Sequence, residues 1–291
     1  MSDLDLLLLV DAHHLAYRAF HAVPVSLRAP NGMPTGVVLG VVRSVRALRQ
    51  SWNPTHMAIV WDGGIPEERR KLFPDYKAQR PPMPDALGAQ LELLSQFFPL
   101  EGISCVRKDG EESDDVIATL AHAAANDGAQ VLFASGDKDL LQLVRDRIRA
   151  VRPDKPAAGW TAEDVRNHIG VRPEQIPDFL ALIGDAVDHI PGVPGVGPKT
   201  AQRWLAQYGT ISELLRHVDE LEPSRLRDRV RVAQDVLQRN LALVRLRTCV
   251  EGLPPWRELE LRNPVEPERR EFLEKLGLKS LILAPASPML L

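Results

Sequence analysis

The stretch Gly110-Glu111-Glu112-Ser113-Asp114-Asp115 sets four carboxylates within five residues at the head of the apolar, alanine-rich run Val116 to Ala125. A helix beginning near Ser113 puts Glu112 and Asp115 three residues apart on one face, with Asp114 beside them in the first turn. Two such charges about 4 Å apart repel by roughly 4 kcal/mol at an effective dielectric of about 20, so the group needs something positive among it. The helix macrodipole alone accommodates acids at a helix start. A cation site requires acids arriving from other segments as well.

Other segments bring them. The apolar run Leu6 to Val10 stops at Asp11, the run Met57 to Trp61 stops at Asp62 followed by Gly63-Gly64, and the run Gln130 to Ser135 gives way to Gly136-Asp137-Lys138-Asp139. Runs that are apolar on both faces belong in the middle of a parallel sheet covered by helices. Helical patterns over residues 35–52, 84–98 and 113–125 separate them, which makes the chain an α/β doubly wound sheet. Such sheets bind ligands beyond the carboxyl ends of their strands. Asp11, Asp62, Glu112, Asp114, Asp115, Asp137 and Asp139 therefore converge on one edge. No run of Lys or Arg lies beside them in sequence, and Lys138 alone falls short, so hard divalent cations such as Mg²⁺ or Mn²⁺ are the expected partners.

Beyond the second acidic strand end, Arg69, Tyr76, Lys77 and Arg80 lie in a basic stretch ending Arg80-Pro81-Pro82 and are expected to overhang the metal site. Cationic groups interleaved with a ring suit a single strand of nucleic acid, phosphate on the cations and bases on the ring. A loop at residues 153–159 leads to a capped helix at residues 161–168, and from Pro173 onward the pattern is all helical. Asp185 and Asp188, three apart, can face the same cation site from the side. Gly192, Gly195 and Gly197 permit close backbone approach, and the amides before the helix at Lys199-Thr200 make an anion site. This is the pattern of a helix-hairpin-helix that grips a phosphate backbone without reading bases.

With 291 residues, 44% of them hydrophobic, the chain can bury one large core and a smaller satellite. A net charge of -3 gives no global nucleic-acid signal, but clustered acids and a separate basic face have the same balance. Cys105 and Cys249 match no metal spacing and read as reduced thiols of a cytosolic protein. The run Leu6 to Val10 is too short to span a bilayer.

Taken together, five stretches resemble the 5′-nuclease (flap endonuclease-like) superfamily, most closely the 5′→3′ exonuclease domain at the amino end of bacterial DNA polymerase I. They are Leu9 to Asp11 with Leu15 to Ala22, Tyr76 to Pro82, Glu112 to Ile117, Gly136 to Leu140, and Gly184 to Thr200, in family order over nearly the whole chain. The resemblance implies a PIN-like nuclease fold over residues 1–170, with a mostly parallel central sheet flanked by helices and a helical arch at about 63–100. It implies a helix-three-turn-helix unit over 171–260 and a tail over 261–291, whose apolar end from Leu281 to Leu291 is expected to pack back on the nuclease unit. By position, Asp11, Asp62, Glu112, Asp114, Asp115, Asp137, Asp139, Asp185 and Asp188 match the family's metal carboxylates. Lys77 and Arg80 match arch residues that hold the scissile phosphate, with Tyr76 beside them, and Arg18 and Arg69 would also contact DNA. K⁺ on the backbone carbonyls of Gly192 to Gly197 is a further implied ligand.

The implied activity is 5′→3′ exonuclease and flap endonuclease action on DNA with 5′ ends, flaps, nicks or gaps. It comes from a monomer in the bacterial cytoplasm that works at the nucleoid alongside a DNA polymerase. Two divalent ions would acidify water and clamp the attacking and leaving oxygens of an in-line displacement. The chain departs from the family pattern at Ala12 (usually Gly), at Trp61 and Gly63 (often Phe and Ala), and at His189 (usually Asn). Against this stand a catalytically silent binder of branched DNA and a PIN-type ribonuclease, although the latter lacks a unit like the one from Pro173 onward.

Overall fold

The computed structural model describes residues 5–23 and 27–283. Strand β1 (Leu6–Asp11) is the central strand, and helix α1 (Ala12–Ala22) follows it without a loop because Asp11 caps the helix, accepting from the His14 amide at 3.1 Å. Next come α2 (Gly36–Trp52), β2 (His56–Trp61), α3 (Glu67–Leu72), α4 (Asp85–Leu100), β3 (Ser104–Arg107), α5 (Ser113–Asn126), β4 (Gln130–Ala134), β5 (Ile148–Val151) and β6 (Gly159–Trp160). The sheet order is β3-β2-β1-β4-β5-β6, parallel throughout except for the β5–β6 pair. The all-apolar β1 divides its side chains between two cores: Leu7 and Leu9 pack with α5, Leu8 and Val10 with α1, α2 and α4. That two-sided burial explains why its sequence does not alternate.

The remainder is helical: α6 (Ala162–Ile169), α7 (Ile176–Ile183), a short hairpin of β7 (Gly184–Asp185) and β8 (Ile190–Pro191), then α8 (Pro198–Tyr208), α9 (Ile211–Arg216), α10 (Arg227–Val232), α11 (Gln234–Val244), α12 (Glu268–Lys275) and α13 (Lys279–Leu283). Leu180 of α7, Trp204 of α8 and Leu237 of α11 lie in the same continuous core as Leu7 and Val131, so the helical unit and the sheet share one apolar interior. Leu261, Leu273, Leu276 and Leu278 pack into the opposite core with α2 and α4. Of the expected apolar end Leu281 to Leu291, residues 284–291 lie outside the described residues.

The segment expected to form an arch divides in two. Within residues 63–84, Arg69, Tyr76, Lys77 and Arg80 reach the acidic edge, where Lys77 N donates to Asp188 O at 3.2 Å, while most of the segment between and beyond them is exposed. Helix α4 instead buries Leu87, Leu94, Phe97 and Phe98 in the body.

Candidate metal centre

The strands deliver their acids as their termini dictate: Asp11 closes β1, Asp62 follows β2, and Asp137 and Asp139 follow β4. Gly63 fixes the next junction. Its amide donates to Glu111 O (2.9 Å), its carbonyl accepts from Gly110 N (2.8 Å), and a Cβ there would stand 1.8 Å from Lys108 O. The backbone contact that sets Asp62 beside the start of α5 thus requires glycine, which accounts for the departure at this position.

Two environments meet at this edge. In the first, Asp11, Asp114, Asp137 and Asp139 crowd one another. Burial leaves the Asp11 carboxyl above its ordinary range, with Asp137 adding to the rise and His14 and Ser135 opposing it; burial, Asp137 and Asp11 push Asp114 well above it. Burial followed by the charges of Asp137, Asp185 and Asp188 lifts Asp139 to about 8. Asp139 Oδ1 is buried with no hydrogen-bond partner. Ser135 Oγ donates to Asp11 Oδ2 at 3.0 Å and accepts from the Asp137 amide at 3.1 Å. His13 Nδ1 accepts from the Asp62 amide at 3.2 Å.

In the second environment, side-chain cations hold the acids. Arg69 is buried and bidentate to Asp115 (2.8 and 2.9 Å), and it also pairs with Glu112. Lys77 pairs with Glu112, and the Tyr76 hydroxyl lies at 3.3 Å from Glu112 Oε1. Arg247 donates its amide to Asp115 Oδ1 at 2.8 Å and pairs with Glu111. Burial alone would raise Glu112, but Lys77 and Arg69 outweigh it and hold the carboxyl below its ordinary value. On the far side Arg80 holds Asp188 (2.5 Å) and Lys138 holds Asp185 (2.9 Å).

These contacts correct three expectations. Arg69 is not a DNA contact on this geometry: it is buried beneath α5, and withdrawing it would strand two carboxylates. Tyr76 is likewise buried, its ring in the core and its hydroxyl on Glu112, so it presents no face for a base. The acids are also not short of protein cations, because Arg69, Lys77 and Arg247 arrive from distant segments. Asp115, fully buried between two guanidinium groups, differs accordingly from the other proposed ligands.

Other sequence-named residues lie where their backbone requires. Gly192 is needed for packing, since a Cβ there would meet Ile183 C at 2.3 Å. Gly195 sits beneath Arg229, whose Nη1 donates to Pro194 O at 3.0 Å, and Gly197 caps α8, with Lys199 exposed in its first turn. Arg18 is exposed and reaches Asp154 at 3.8 Å. His189 is neither exposed nor satisfied: its φ is +59° and its buried Nδ1 has no partner, in a conformation that Asn adopts more readily. Sequence reasoning missed Arg247, Ser135 and His13. Ser135 could have been found from its place directly before Gly136-Asp137.

Among the described residues, no three His, Cys, Asp or Glu side chains are already closed into a cage for an ion. The donor set nevertheless fits hard divalent cations. It is all oxygen, its members are mutually repulsive, and one of them, Asp139, has a buried oxygen with no hydrogen-bond partner.

A family model described as 5'-3' exonuclease, N-terminal resolvase-like domain, matches residues 6–170, and one described as 5'-3' exonuclease, C-terminal SAM fold, matches residues 171–267. The chain belongs to the 5′-3′ exonuclease family. It is 35% identical over 276 residues to the 5'-3' exonuclease of Aquifex aeolicus, a match covering 95% of this chain and 93% of that protein. It is 38% identical over 276 residues to the thermostable DNA polymerase I of Thermus filiformis, covering 94% of this chain but 32% of that protein. The chain thus spans about a third of the length of its polymerase relatives. Among solved structures it resembles the T5 D15 protein co-crystallised with metal ions (TM-score 0.73, 20% identity, 93% of this chain and 99% of that one). It also resembles the catalytic core of Rad2 in complex with DNA substrate (TM-score 0.65, 16% identity, 97% and 92%). These two likenesses establish the fold.

Proposed function

We propose that this member of the 5′-3′ exonuclease family is a structure-specific 5′ nuclease. It hydrolyses DNA phosphodiesters at 5′ ends, flaps, nicks and gaps with two or more Mg²⁺ or Mn²⁺ ions. The observation that carries this reading is the crowding of Asp11, Asp114, Asp137 and Asp139 at the carboxyl edge of the sheet, where burial and neighbouring charge push the Asp11, Asp114 and Asp139 carboxyls above their ordinary range and Lys77 is close by. The ions, when bound, supply Lewis acidity that acidifies water and neutralises charge on the phosphate. Asp11, Asp62, Glu112, Asp114 and Asp137 would hold them, with Asp139, Asp185 and Asp188 acting partly through water.

The chain's own contribution is positioning and charge. Arg69 pairs with both Glu112 and Asp115 at the start of α5, holding Glu112 below its ordinary range and partly offsetting the rise that burial imposes on Asp115. Lys77, with a positive φ of 56°, is held by its own amide on Asp188 O, which keeps its ammonium at the site. Once cations take up the charge of Glu112, that ammonium is free to stabilise charge developing on the phosphate, as is Arg80. Gly197 and Lys199 at the start of α8 would receive a backbone phosphate of the duplex, and carbonyls between Gly192 and Gly197 would hold K⁺. The chain works as a monomer in the cytoplasm, beside a DNA polymerase of the same pathway.

A labelled 5′-flap duplex incubated with and without Mg²⁺ or Mn²⁺ tests this. Cleavage that requires the metal and prefers a DNA flap over an RNA flap is expected. Metal-independent binding without cleavage would make the chain a binder only.

A further inference from the structure

Asp137 and Ser135 also line a cavity of about 380 Å³ beside the β4 terminus. Its other walls are Arg18 of α1, Arg152, Asp154, Trp160 of β6 and His168 of α6. None of Arg152, Asp154, Trp160 or His168 has a role in the metal centre. Arg152 holds Asp154 in a fork, Nε to Oδ1 at 3.1 Å and Nη2 to Oδ2 at 3.0 Å, while Arg18 approaches the same carboxylate at 3.8 Å. Arg152 also lies 5.9 Å from the centre of the Trp160 ring, and His168 stands edge-on to that ring at 4.8 Å. The walls are fixed. Trp52 Nε1 donates to Pro156 O at 2.5 Å, tying the 152–158 loop to α2, and Trp160 is placed by its pairing with Ala150 and by the capping box at Thr161.

We infer that this cavity is a subsite for one nucleotide unit of the DNA strand beside the scissile phosphate. In this subsite the phosphate replaces the Asp154 carboxylate on Arg152 and Arg18, and the base lies against Trp160. The chemistry matches part by part. A guanidinium fork that binds a carboxylate bidentately binds a phosphate in the same way, and among the lining residues Arg18, Arg152 and Lys138 outnumber Asp137 and Asp154. The indole offers the only large aromatic face among the residues lining the cavity. The volume lies at the low end of the roughly 300–1,000 Å³ range of small-ligand pockets, enough for one nucleotide but not for a duplex. Asp137 belongs to both walls, which sets the bound nucleotide next to the cut. Asp154 is then an internal competitor, held in the place of the ligand until a strand arrives.

The inference rests on the chain acting on DNA, so its test separates the two. Binding of a 5′-flap duplex is measured by fluorescence anisotropy in EDTA, where nothing is cut, with one neutral methylphosphonate walked along the strand around the cleavage position. In the wild-type chain, one position within two nucleotides of the cut should weaken binding about tenfold. In Arg152→Ala the same position should matter less than twofold, and the salt dependence should fall by about one phosphate contact. Asp154→Asn should bind the unmodified flap about three- to tenfold more tightly than wild type, a direction that local damage to the fold would not give. The inference is overturned if no position loses its sensitivity in Arg152→Ala, or if Asp154→Asn binds no better than wild type. A wild-type chain that binds the flap with no such position leaves the nuclease reading intact and removes only the subsite. A chain that neither binds nor cuts it overturns both.

Discussion

Asp114 and Asp115 are neighbours in sequence and opposites in circumstance. Asp115 is enclosed by Arg69 and Arg247, whereas Asp114 faces Asp11 and Asp137 and is pushed well above the ordinary carboxylate range. The difference follows from helix geometry, since adjacent residues in the first turn of α5 point about 100° apart. It shows that an acidic run can serve two purposes at once. One half is neutralised by the protein and fixes the frame; the other half is left short of positive charge and, on the function proposed above, would be completed by a cation from solution.

The largest effect should come from breaking the neutralised half. Arg69→Ala leaves Glu112 and Asp115 buried beside lost partners and should cost about 3–5 kcal/mol of unfolding free energy, read by urea denaturation. A loss below about 1 kcal/mol would mean that Arg69 is not the counterion described. Breaking the other half should do the reverse. Asp114→Asn should lower the cleavage rate about a thousandfold, roughly 4 kcal/mol of lost charge stabilisation, while the metal-free variant melts at or above the wild-type temperature because one repelling charge is gone. Melting well below wild type would place Asp114 in the structural half.

Lys77 stands between the two, pairing with Glu112 while facing the site. Lys77→Ala should reduce the single-turnover rate about 10²–10³-fold with a smaller stability loss than Arg69→Ala, because Glu112 keeps Arg69 and Tyr76. Equal loss in both measures would make Lys77 purely structural.

Acidity acts on the unneutralised half. Asp139 holds its proton up to about pH 8 in the folded metal-free chain, against an ordinary value of 3.8. The native state therefore binds more protons than the unfolded chain between those limits, and metal-free stability should fall as pH rises from about 4 to about 8. A cation must displace that proton, so the apparent Kd for Mn²⁺ should improve by up to about tenfold per pH unit and level off near pH 8. A Kd independent of pH from 6 to 8 would contradict the assignment. The smallest effect belongs to Tyr76→Phe, which loses one hydroxyl on Glu112. A stability cost of about 1 kcal/mol is expected, with DNA affinity unchanged because the ring is buried.

Much of this was legible in the chain itself. Three apolar runs, each giving way to an acid, locate β1, β2 and β4 and the edge where their acids meet, because burial on both faces leaves an unbroken signature. Strand β3 escaped, since Ser104-Cys105-Val106-Arg107 is an edge strand with three of its four residues outside the core. Helix α1 escaped because its buried face, Ala12, Leu15, Ala16 and Ala19, is helically spaced but three of its four residues are alanines, which leave a weak apolar signal. The counterions were the larger omission. Arg247 stands 132 positions from Asp115, and pairing at that distance is decided by how α5 and the segment after α11 pack, not by any local pattern.

The most direct test is crystallographic: Mn²⁺ introduced into crystals of the full chain and located by its anomalous scattering. The account predicts manganese among Asp11, Asp114 and Asp137 and beside Asp139, with Asp115 still clasped by Arg69 and Arg247. Manganese bound to Asp115, or none along the carboxyl edge of the sheet at millimolar concentration, would contradict it.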